Sequence, residues 1–520
     1  MQRSRQMYSY RKKEIPWNHC RRKQFRKSFY YKKKDVGSCW GCPSTKSFLA
    51  KQEISWWLAY SFSSGYTTYF HVGLYFPLLM RSHNLKKVCH LCIIYDMLDY
   101  RFIKENIQAV KENIANRNMS ADADLVVELF DKRTALVTQV QALQQKRNDN
   151  AKAMKAKLEP DERNRLIDEG KAIKDEIAAC EKTLNELEQQ LEAEGRKIPN
   201  MAHPDAPVGV LDTDNPEVKR VGTPTAFNFK PKDHVQLAQE LDLVDFDAAT
   251  KVSGNKFYYL KNEAVFLEQA LIMYAMNILR KHGFTPFITP DVAREEILHG
   301  IGFNPRGNES NVYALEDEKA CLVATAEITL GGYHAGEILS KEKLPLYYCG
   351  LSHCFRREAG AAGQFSKGLY RVHQFTKLEM FVYCLPEQSD EIHEKLRLIE
   401  EEIFTGLGIP FRVVDTCTGD LGAPAYRKWD LEAWMPGRGE NGDWGEVTST
   451  SNCTDFQARR LNVRFKDSNG KNRFVHMLNG TAVAVSRALV AILENYQNED
   501  GSVTVPQVLV PFCGFDKISR

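Results

Sequence analysis

From Ile173 onward the apolar residues Ile173, Ile177, Cys180, Leu184, Leu187 and Leu191 fall in alternating steps of four and three. That is the spacing of a helix that buries one seam against a partner helix. Upstream, Phe130, Leu136, Val137, Val140 and Leu143 form a looser apolar stripe, and neither Gly nor Pro interrupts the chain between Met97 and Pro160. Pro160 separates the two stripes and cannot sit inside a helix. The pattern predicts two antiparallel helices joined near residues 148–163, a hairpin projecting from a larger body. Lys146, Arg147, Lys152, Lys155 and Lys157 gather toward its tip and would suit a phosphate backbone. A plain packing or dimerisation element with a solvated charged face accounts for the same pattern. The hairpin closes on "GRKIPNMAHPDAPVG", whose prolines and glycines stop the helix and mark a linker.

The chain has 520 residues, 43% of them hydrophobic, which is enough for several domains with at least one large core. Its net charge of +3 conceals an asymmetry. Residues 1–96 hold 18 Lys and Arg against 4 Asp and Glu, leaving 52 basic (70 − 18) and 63 acidic (67 − 4) residues in 97–520. A basic, acid-poor head is expected of an organelle targeting segment, for mitochondrion or plastid. The other reading is a non-native lead-in, with translation starting at Met97 and the protein cytoplasmic. Residues 54–80 lack Asp, Glu, Lys and Arg, but their many Ser, Thr, Gly and Tyr residues argue against a membrane helix. No stable membrane association is expected. Thirteen cysteines without framework spacing point to free thiols in a reducing compartment. The pairs Cys39/Cys42 and Cys89/Cys92 are separated by 46 residues, far outside zinc-ribbon spacing.

From about residue 221 strands and helices mix. An amphipathic helix, "NEAVFLEQALIMYAMNILRKHG", stops at Gly283 and leads into a strand ending at Pro290. No GxxxxGK[ST] phosphate cradle occurs, so a nucleotide would have to be held differently. Residues 354–381, "CFRREAGAAGQFSKGLYRVHQFTKLEMF", read as two strands around a Gly-containing loop. Alternation puts Arg371, His373, Phe375, Lys377 and Glu379 on one face, Val372, Gln374, Leu378 and Met380 on the other, and Arg356 with Glu358 on the first strand. Charged groups on a sheet face are costly unless that face is a wet cleft. Arginine offers a planar fork for phosphate oxygens, an aromatic ring a stacking surface, and a carboxylate a seat for a cation. An exposed hairpin with cross-strand ion pairs is the plainer alternative. Residues 442–460 set Glu446 among hydroxyl residues, a hard-oxygen environment suited to Mg²⁺ on phosphates. Residues 474–497 predict a strand, a tight Asn479–Gly480 turn and a small-residue helix bearing Arg487.

Together these segments resemble the three signature motifs of class II aminoacyl-tRNA synthetases, and specifically seryl-tRNA synthetases of the bacterial and organellar type. The resemblance spans almost all of 97–520, including "MLDYRFIKEN", the "TAE" of residues 325–327 and "VPQVLVPFCG". It implies an α+β fold: a class II catalytic domain built on an antiparallel sheet flanked by helices, preceded by a long antiparallel coiled-coil hairpin. The implied division is an extension at 1–96, a tRNA-binding domain at 97–205 and a catalytic domain at 206–520. The implied activity is ATP- and Mg²⁺-dependent conversion of L-serine to seryl-adenylate, then transfer of the seryl group to the 3′ end of tRNA(Ser), with tRNA(Sec) an open second substrate. The family works as a homodimer, through the helix before Gly283 and the strand after it.

The resemblance also assigns roles. Arg356 would grip the α-phosphate and the serine carboxylate, Glu358 the adenine edge, and Phe375 would stack on the base. Arg487 would hold the γ-phosphate, and Glu446 with Ser449 the metal. Arg357, Val372, His373, Gln374, Val447 and Thr448 complete the implied ATP set. Serine would lie among Thr325, Ala326, Glu327, Arg356, Glu379, Asn479 and Thr481, the last standing where many bacterial members carry Ser. Glu327 and Glu379 are both acceptors for the ammonium and hydroxyl groups, without an assignment between them. A class II enzyme for threonine or proline would share two of the motifs but is expected to add an anticodon-binding domain. A non-catalytic relative would be expected to lack Arg356, Glu379 or Arg487.

Overall fold

The structure, a computed structural model, describes residues 98–303, 311–358 and 367–520. The basic head with its uncharged stretch and CxxC pairs, and most of the loop in the 354–381 segment, lie outside the described residues.

Four helices open the described chain: α1 (Tyr100–Glu105), α2 (Ile107–Asn116), α3 (Ala123–Ala153) and α4 (Pro160–Gly195). Asp122 caps α3 by accepting from the Leu125 N–H at 2.9 Å, and Pro160 occupies the first turn of α4, where its missing N–H has no cost. The two long helices form the expected hairpin, turning at residues 154–159. Leu143, Ile173 and Ile177 with Cys180 fill one part of its seam, and Leu129, Leu187 and Leu191 another. Arg133 bridges to Glu188 at 3.0 Å. Lys146, Arg147, Lys152, Lys155 and Lys157 are all exposed near the turn.

The expected linker proves to be a fastening. Asn200 is 3% exposed, and its amide donates to the carbonyls of Pro424 and Cys453, each at 3.0 Å. Arg117, from α2, donates to the carbonyls of Asn200 at 2.6 Å, Ala425 at 3.0 Å and Gly422. Prolines do end the helix, but buried main-chain hydrogen bonds then fix the segment to the body.

An eight-stranded sheet organises the remainder. In chain order its strands are β1 (Glu217–Val221), β2 (Thr285–Ile288), β3 (Leu346–Phe355), β4 (Gln374–Cys384), β5 (Phe411–Asp415), β6 (Arg427–Met435), β7 (Asp443–Asn452) and β8 (His476–Ala484). Across the sheet they run β1-β5-β6-β7-β8-β4-β3-β2, antiparallel except for the β2/β3 pair. Five helices serve the site or its support: α5 (Glu263–Lys281), α6 (Ala326–Gly332), α7 (Ser389–Gly406), α8 (Phe456–Leu461) and α9 (Val485–Asn495). Helices α5, α7 and α9 pack into one core with Leu378, Met380, Val382 and Cys384 of β4. Helices α6 and α8 pack into a second with Phe381 and Tyr383, the opposite face of the same strand. This central strand is buried on both sides, which explains its near-continuous apolar run after Glu379. Among the described residues no helix is long and apolar enough to cross a membrane.

One expectation is overturned. Asn479 and Gly480 make no turn: they lie inside β8, paired with Phe381 and Met380 of β4 and with Ser451 and Thr450 of β7. Glycine fits closely at 480, where a Cβ would lie 3.0 Å from Met380 Cε and Thr450 Oγ1 and those side chains would have to shift. Close packing between neighbouring strands, not a reversal of direction, explains the residue.

Candidate active site

Along β4 one face changes character. Phe375 and Lys377 line a cleft, Glu379 is buried against Lys377, and the next residues in that register, Phe381 and Tyr383, enter the core. Pleating therefore acts as expected from Gln374 onward. It does not act before it, because residues 367–373 run outside the strand: both Arg371 and Val372 line the cleft, against the predicted alternation. The incoming strand likewise ends at Phe355, so Arg356 and Glu358 reach the cleft from irregular backbone. Glu358 has φ of 51°, in the left-handed region. His373 turns back, its Nδ1 2.8 Å from the Arg356 carbonyl.

The cleft is lined by Arg356, Glu358, Tyr370, Phe375, Glu446, Thr448, Thr481 and Arg487. Most of its cations are already paired. Arg371 meets Glu358 at 2.7 Å, Lys377 meets Glu379 at 2.5 Å, and Arg487 Nη1 lies 3.0 Å from both the carboxylate and the carbonyl of Glu446. Burial alone would lower Arg487, but Glu446 more than offsets it and keeps the guanidinium protonated. Burial conversely pushes Glu446 up, and Arg487, Lys428 and Arg356 outweigh that, holding its carboxyl below the ordinary range. Arg356 is the exception. Its guanidinium lies 5.2 Å from the Phe375 ring centre and its Nε donates to the Ala324 carbonyl at 3.4 Å. No carboxylate among the described residues pairs with it.

A bulge brings Glu446 and Ser449 to the same face. On β7 Glu446 pairs with Glu432 and Ser449 with Asp430, two residues apart on β6, so Val447 is the extra residue. Three positions along β7 thus become one surface with Glu432 and Asp430. Burial raises Asp430 to about 6 despite Lys428, 3.2 Å away. Among the described residues no group of three or more His, Cys, Asp or Glu is placed to hold a metal by itself. Glu446 and Ser449 can still contribute two oxygens to an ion whose other ligands are phosphates and water, the usual habit of Mg²⁺.

A buried polar cluster adjoins these residues. Thr325 caps α6 by accepting from the Glu327 N–H at 3.2 Å, and Ala326 begins the helix. Glu327 Oε1 accepts from Asn479 at 2.9 Å and from Gln457 at 2.7 Å. Burial, then the nearby Glu379, push Glu327 up to about 7. Thr481 Oγ1 donates to Glu379 at 3.3 Å. Gly350 sits opposite Glu379 on β3, where a Cβ would come within 2.9 Å of the Ala326 methyl.

The residues expected at the site therefore separate into two groups. Arg356, Glu358, Val372, Phe375, Glu446, Val447, Thr448, Thr481 and Arg487 line the cleft, and Thr325, Ala326, Glu327, Glu379 and Asn479 are buried in the adjoining cluster. Arg357, His373 and Gln374 fall outside both. Arg357 is held through its main chain to Asn311, and Gln374 lines another cavity with Tyr258 and His353. Ser449 shares the Glu446 face without lining the cleft. Gln457, Tyr370 and Lys428 are contributors without a sequence signal, since single residues on a short helix, a loop and a strand form no spacing pattern. Burial pushes the Cys349 thiol to about 12 and raises Cys354, Cys384 and Cys453 as well, which disfavours their thiolates.

A mostly antiparallel sheet flanked by helices, with an arginine that no carboxylate among the described residues pairs with and a cation-held glutamate lining one cleft, defines a class II aminoacyl-tRNA synthetase. Residues 313–496 match the model of the tRNA synthetase class II core domain (G, H, P, S and T), and residues 97–202 that of the seryl-tRNA synthetase N-terminal domain. The serine–tRNA ligase of Treponema denticola is 74% identical over 422 residues, 81% of this chain and 100% of that one; that of Treponema pallidum is 62% identical over 420 residues, 81% and 98%. The seryl-tRNA synthetase of Pyrococcus horikoshii, solved with ATP, superposes with a TM-score of 0.75 at 42% identity, covering 81% of this chain and 99% of that one. The cytoplasmic serine–tRNA ligase of Naegleria fowleri, solved with AMP, gives 0.72 at 32% identity, covering 82% and 99%. The chain belongs to the seryl-tRNA synthetase family, and its activity is that of a serine–tRNA ligase.

Proposed function

We propose that the cleft holds ATP and the adjoining polar cluster serine, with Arg356 touching both. One observation carries this reading: Arg356 alone among the described cleft-lining cations lacks a carboxylate partner, in a place where anions must meet. Its fork can accept an α-phosphate oxygen and the serine carboxylate together. Phe375 offers a face for the base, and Glu358, oriented by Arg371, an acceptor for its amino edge. Arg487 lies at the other end of the cleft for the γ-phosphate. Arg356→Gln should lose serine-dependent ATP–pyrophosphate exchange while the protein stays folded; undiminished exchange would overturn the assignment.

Charge arithmetic apportions the two glutamates. Lys377 already neutralises Glu379, whose second neighbour is the Thr481 hydroxyl, so Glu379 suits the neutral serine hydroxyl. Among the described residues Glu327 accepts only from neutral amides, so the substrate ammonium goes there. Alanine would forgo the hydroxyl's hydrogen bonds to Glu379 and Thr481 and is rejected for that; threonine must be excluded by lack of room for its methyl.

In the reaction a serine carboxylate oxygen attacks the α-phosphorus in line, a mixed anhydride forms, and pyrophosphate leaves. Arg356 and Arg487 stabilise the charge spreading over the phosphates. Glu446 and Ser449 would hold Mg²⁺, which when bound shields the negative charge of the phosphates. No protein nucleophile is needed. The seryl group then passes to a ribose hydroxyl of tRNA(Ser).

The rest of the reading concerns assembly. Residues 97–205 engage tRNA through the basic hairpin tip, by shape and backbone more than by bases, and 206–520 perform the chemistry. Whether tRNA(Sec) is charged too would be tested directly with that tRNA. A homodimer forms over α5 and β2, where Phe266, Met273 and Ile288 are 57%, 45% and 86% exposed. If the 1–96 head is native the protein works in a mitochondrion or plastid, and if translation starts at Met97, in the cytoplasm. The mass of the protein isolated from its source distinguishes the two.

A further inference from the structure

We propose that Gln457 is a positioning residue for serine: it fixes which oxygen of Glu327 faces the substrate ammonium. The inference rests on the serine-site reading above.

Gln457 lies on α8 and is fully buried. Its amide nitrogen has two hydrogens, and both are used, one on Glu327 Oε1 at 2.7 Å and the other on the Ile301 carbonyl at 3.1 Å. The Ile301 bond fixes the amide, and the fixed amide then fixes the carboxylate. Asn479 fills the second acceptor position of Oε1 at 2.9 Å. Oε1 is thereby saturated, while Oε2 receives no hydrogen bond among the described residues. Amide hydrogens cannot accept a proton, so any proton on this carboxyl resides on Oε2, the oxygen left for the ligand. A residue with no expected role in chemistry thus decides both the direction of Glu327 and the stability of its ionised form.

The groups acting on Glu327 from its surroundings are Glu379 and Lys377 of β4, Arg356, and the thiol of Cys453. Glu379 disfavours ionisation; Lys377, Arg356 and the Gln457 hydrogen bond favour it. Removing the Gln457 donor therefore makes the carboxyl harder to ionise.

The test is Gln457→Met, which keeps length and loses both donors, read by serine-dependent ATP–pyrophosphate exchange across pH. The KM for serine should rise about tenfold, the value of one hydrogen bond to a charged group, with the KM for ATP unchanged. The acid limb of kcat/KM for serine should move to higher pH. An unchanged serine KM and acid limb in a folded variant overturns the inference, and so does an equal rise in both KM values, which a purely structural role would give. If Gln457→Met does not fold, Gln457→Glu serves: it keeps the shape and adds a like charge, so the acid limb should move further still, and an unmoved limb overturns the inference. Glu327→Gln separates the two levels. An unaffected serine KM there sinks the serine-site reading and this inference with it; an affected one, beside an unaffected Gln457→Met, sinks this inference alone.

Discussion

Lys377 and Glu379 stand two residues apart on β4, face the same way and close a 2.5 Å ion pair with side chains only 7% and 2% exposed. Period-two geometry makes the pair local, and burial makes each partner depend on the other. Lys377→Met would leave Glu379 buried without its counter-charge, at a cost of about 3 kcal/mol in stability. Chemical denaturation measures this. Replacing Glu379 by Leu in the same chain should recover most of the loss, and a single variant as stable as the parent would mean that the pair is not coupled.

Arg487 is the third residue of α9, and Tyr370, whose ring centre is 4.9 Å from its guanidinium, and Glu446 hold it over the cleft. Arg487→Ala should lower the rate of adenylate formation about a thousandfold, the upper range for deleting one donor to developing charge. The melting temperature should change little, since the side chain ends in the cleft rather than in the core. Near-normal pyrophosphate exchange would refute the phosphate role.

Glu327 gives the enzyme a pH dependence. Its carboxyl is pushed up to about 7, first by burial and then by Glu379. Pairing with the serine ammonium requires the ionised form, so kcat/KM for serine should fall as pH drops below about 7, and Glu327→Gln should remove that limb. The effect on stability has the opposite direction. Between the ordinary glutamate value of 4.5 and about 7 the folded chain keeps a proton that the unfolded chain releases, so this residue's contribution grows as pH falls and is lost as pH rises through about 7. Comparing unfolding free energies of parent and Glu327→Gln at pH 5 and pH 8 checks the sign.

Much of this was legible in the sequence because it depends on local period. The steps from Ile173 to Leu191 specify a helical seam whatever it packs against, and the alternation after Gln374 specifies which side of β4 is charged. What escaped depends on neighbours distant in sequence. An Asn-Gly pair signals a turn, yet Gly480 lies mid-strand, packed closely against Met380 and Thr450 of the neighbouring strands. The Val447 bulge that aligns Glu446 with Ser449 arises from pairing with β6 and has no mark within β7. The proline-rich segment after α4 reads as a free linker, and only Arg117 and the loop at 422–425 show it to be clamped.

The hairpin and the cleft have separate seams and cores, so their functions should separate. Removing the arm between residues 130 and 190 and rejoining α3 to α4 leaves Tyr100, Ile103, Val110, Val126, Leu191 and Ile198 to pack at its root. Serine activation should survive and tRNA charging should be lost. Parallel loss of both would show that the arm supports the catalytic fold rather than the tRNA.

The most direct test offers serine, threonine, alanine and cysteine side by side to purified residues 97–520 in amino-acid-dependent ATP–pyrophosphate exchange. Exchange with serine alone is predicted, because Arg356 awaits the carboxylate, Glu327 the ammonium, and Glu379 with Thr481 the hydroxyl. Exchange with none of the four from folded protein, or with alanine as readily as with serine, would contradict it.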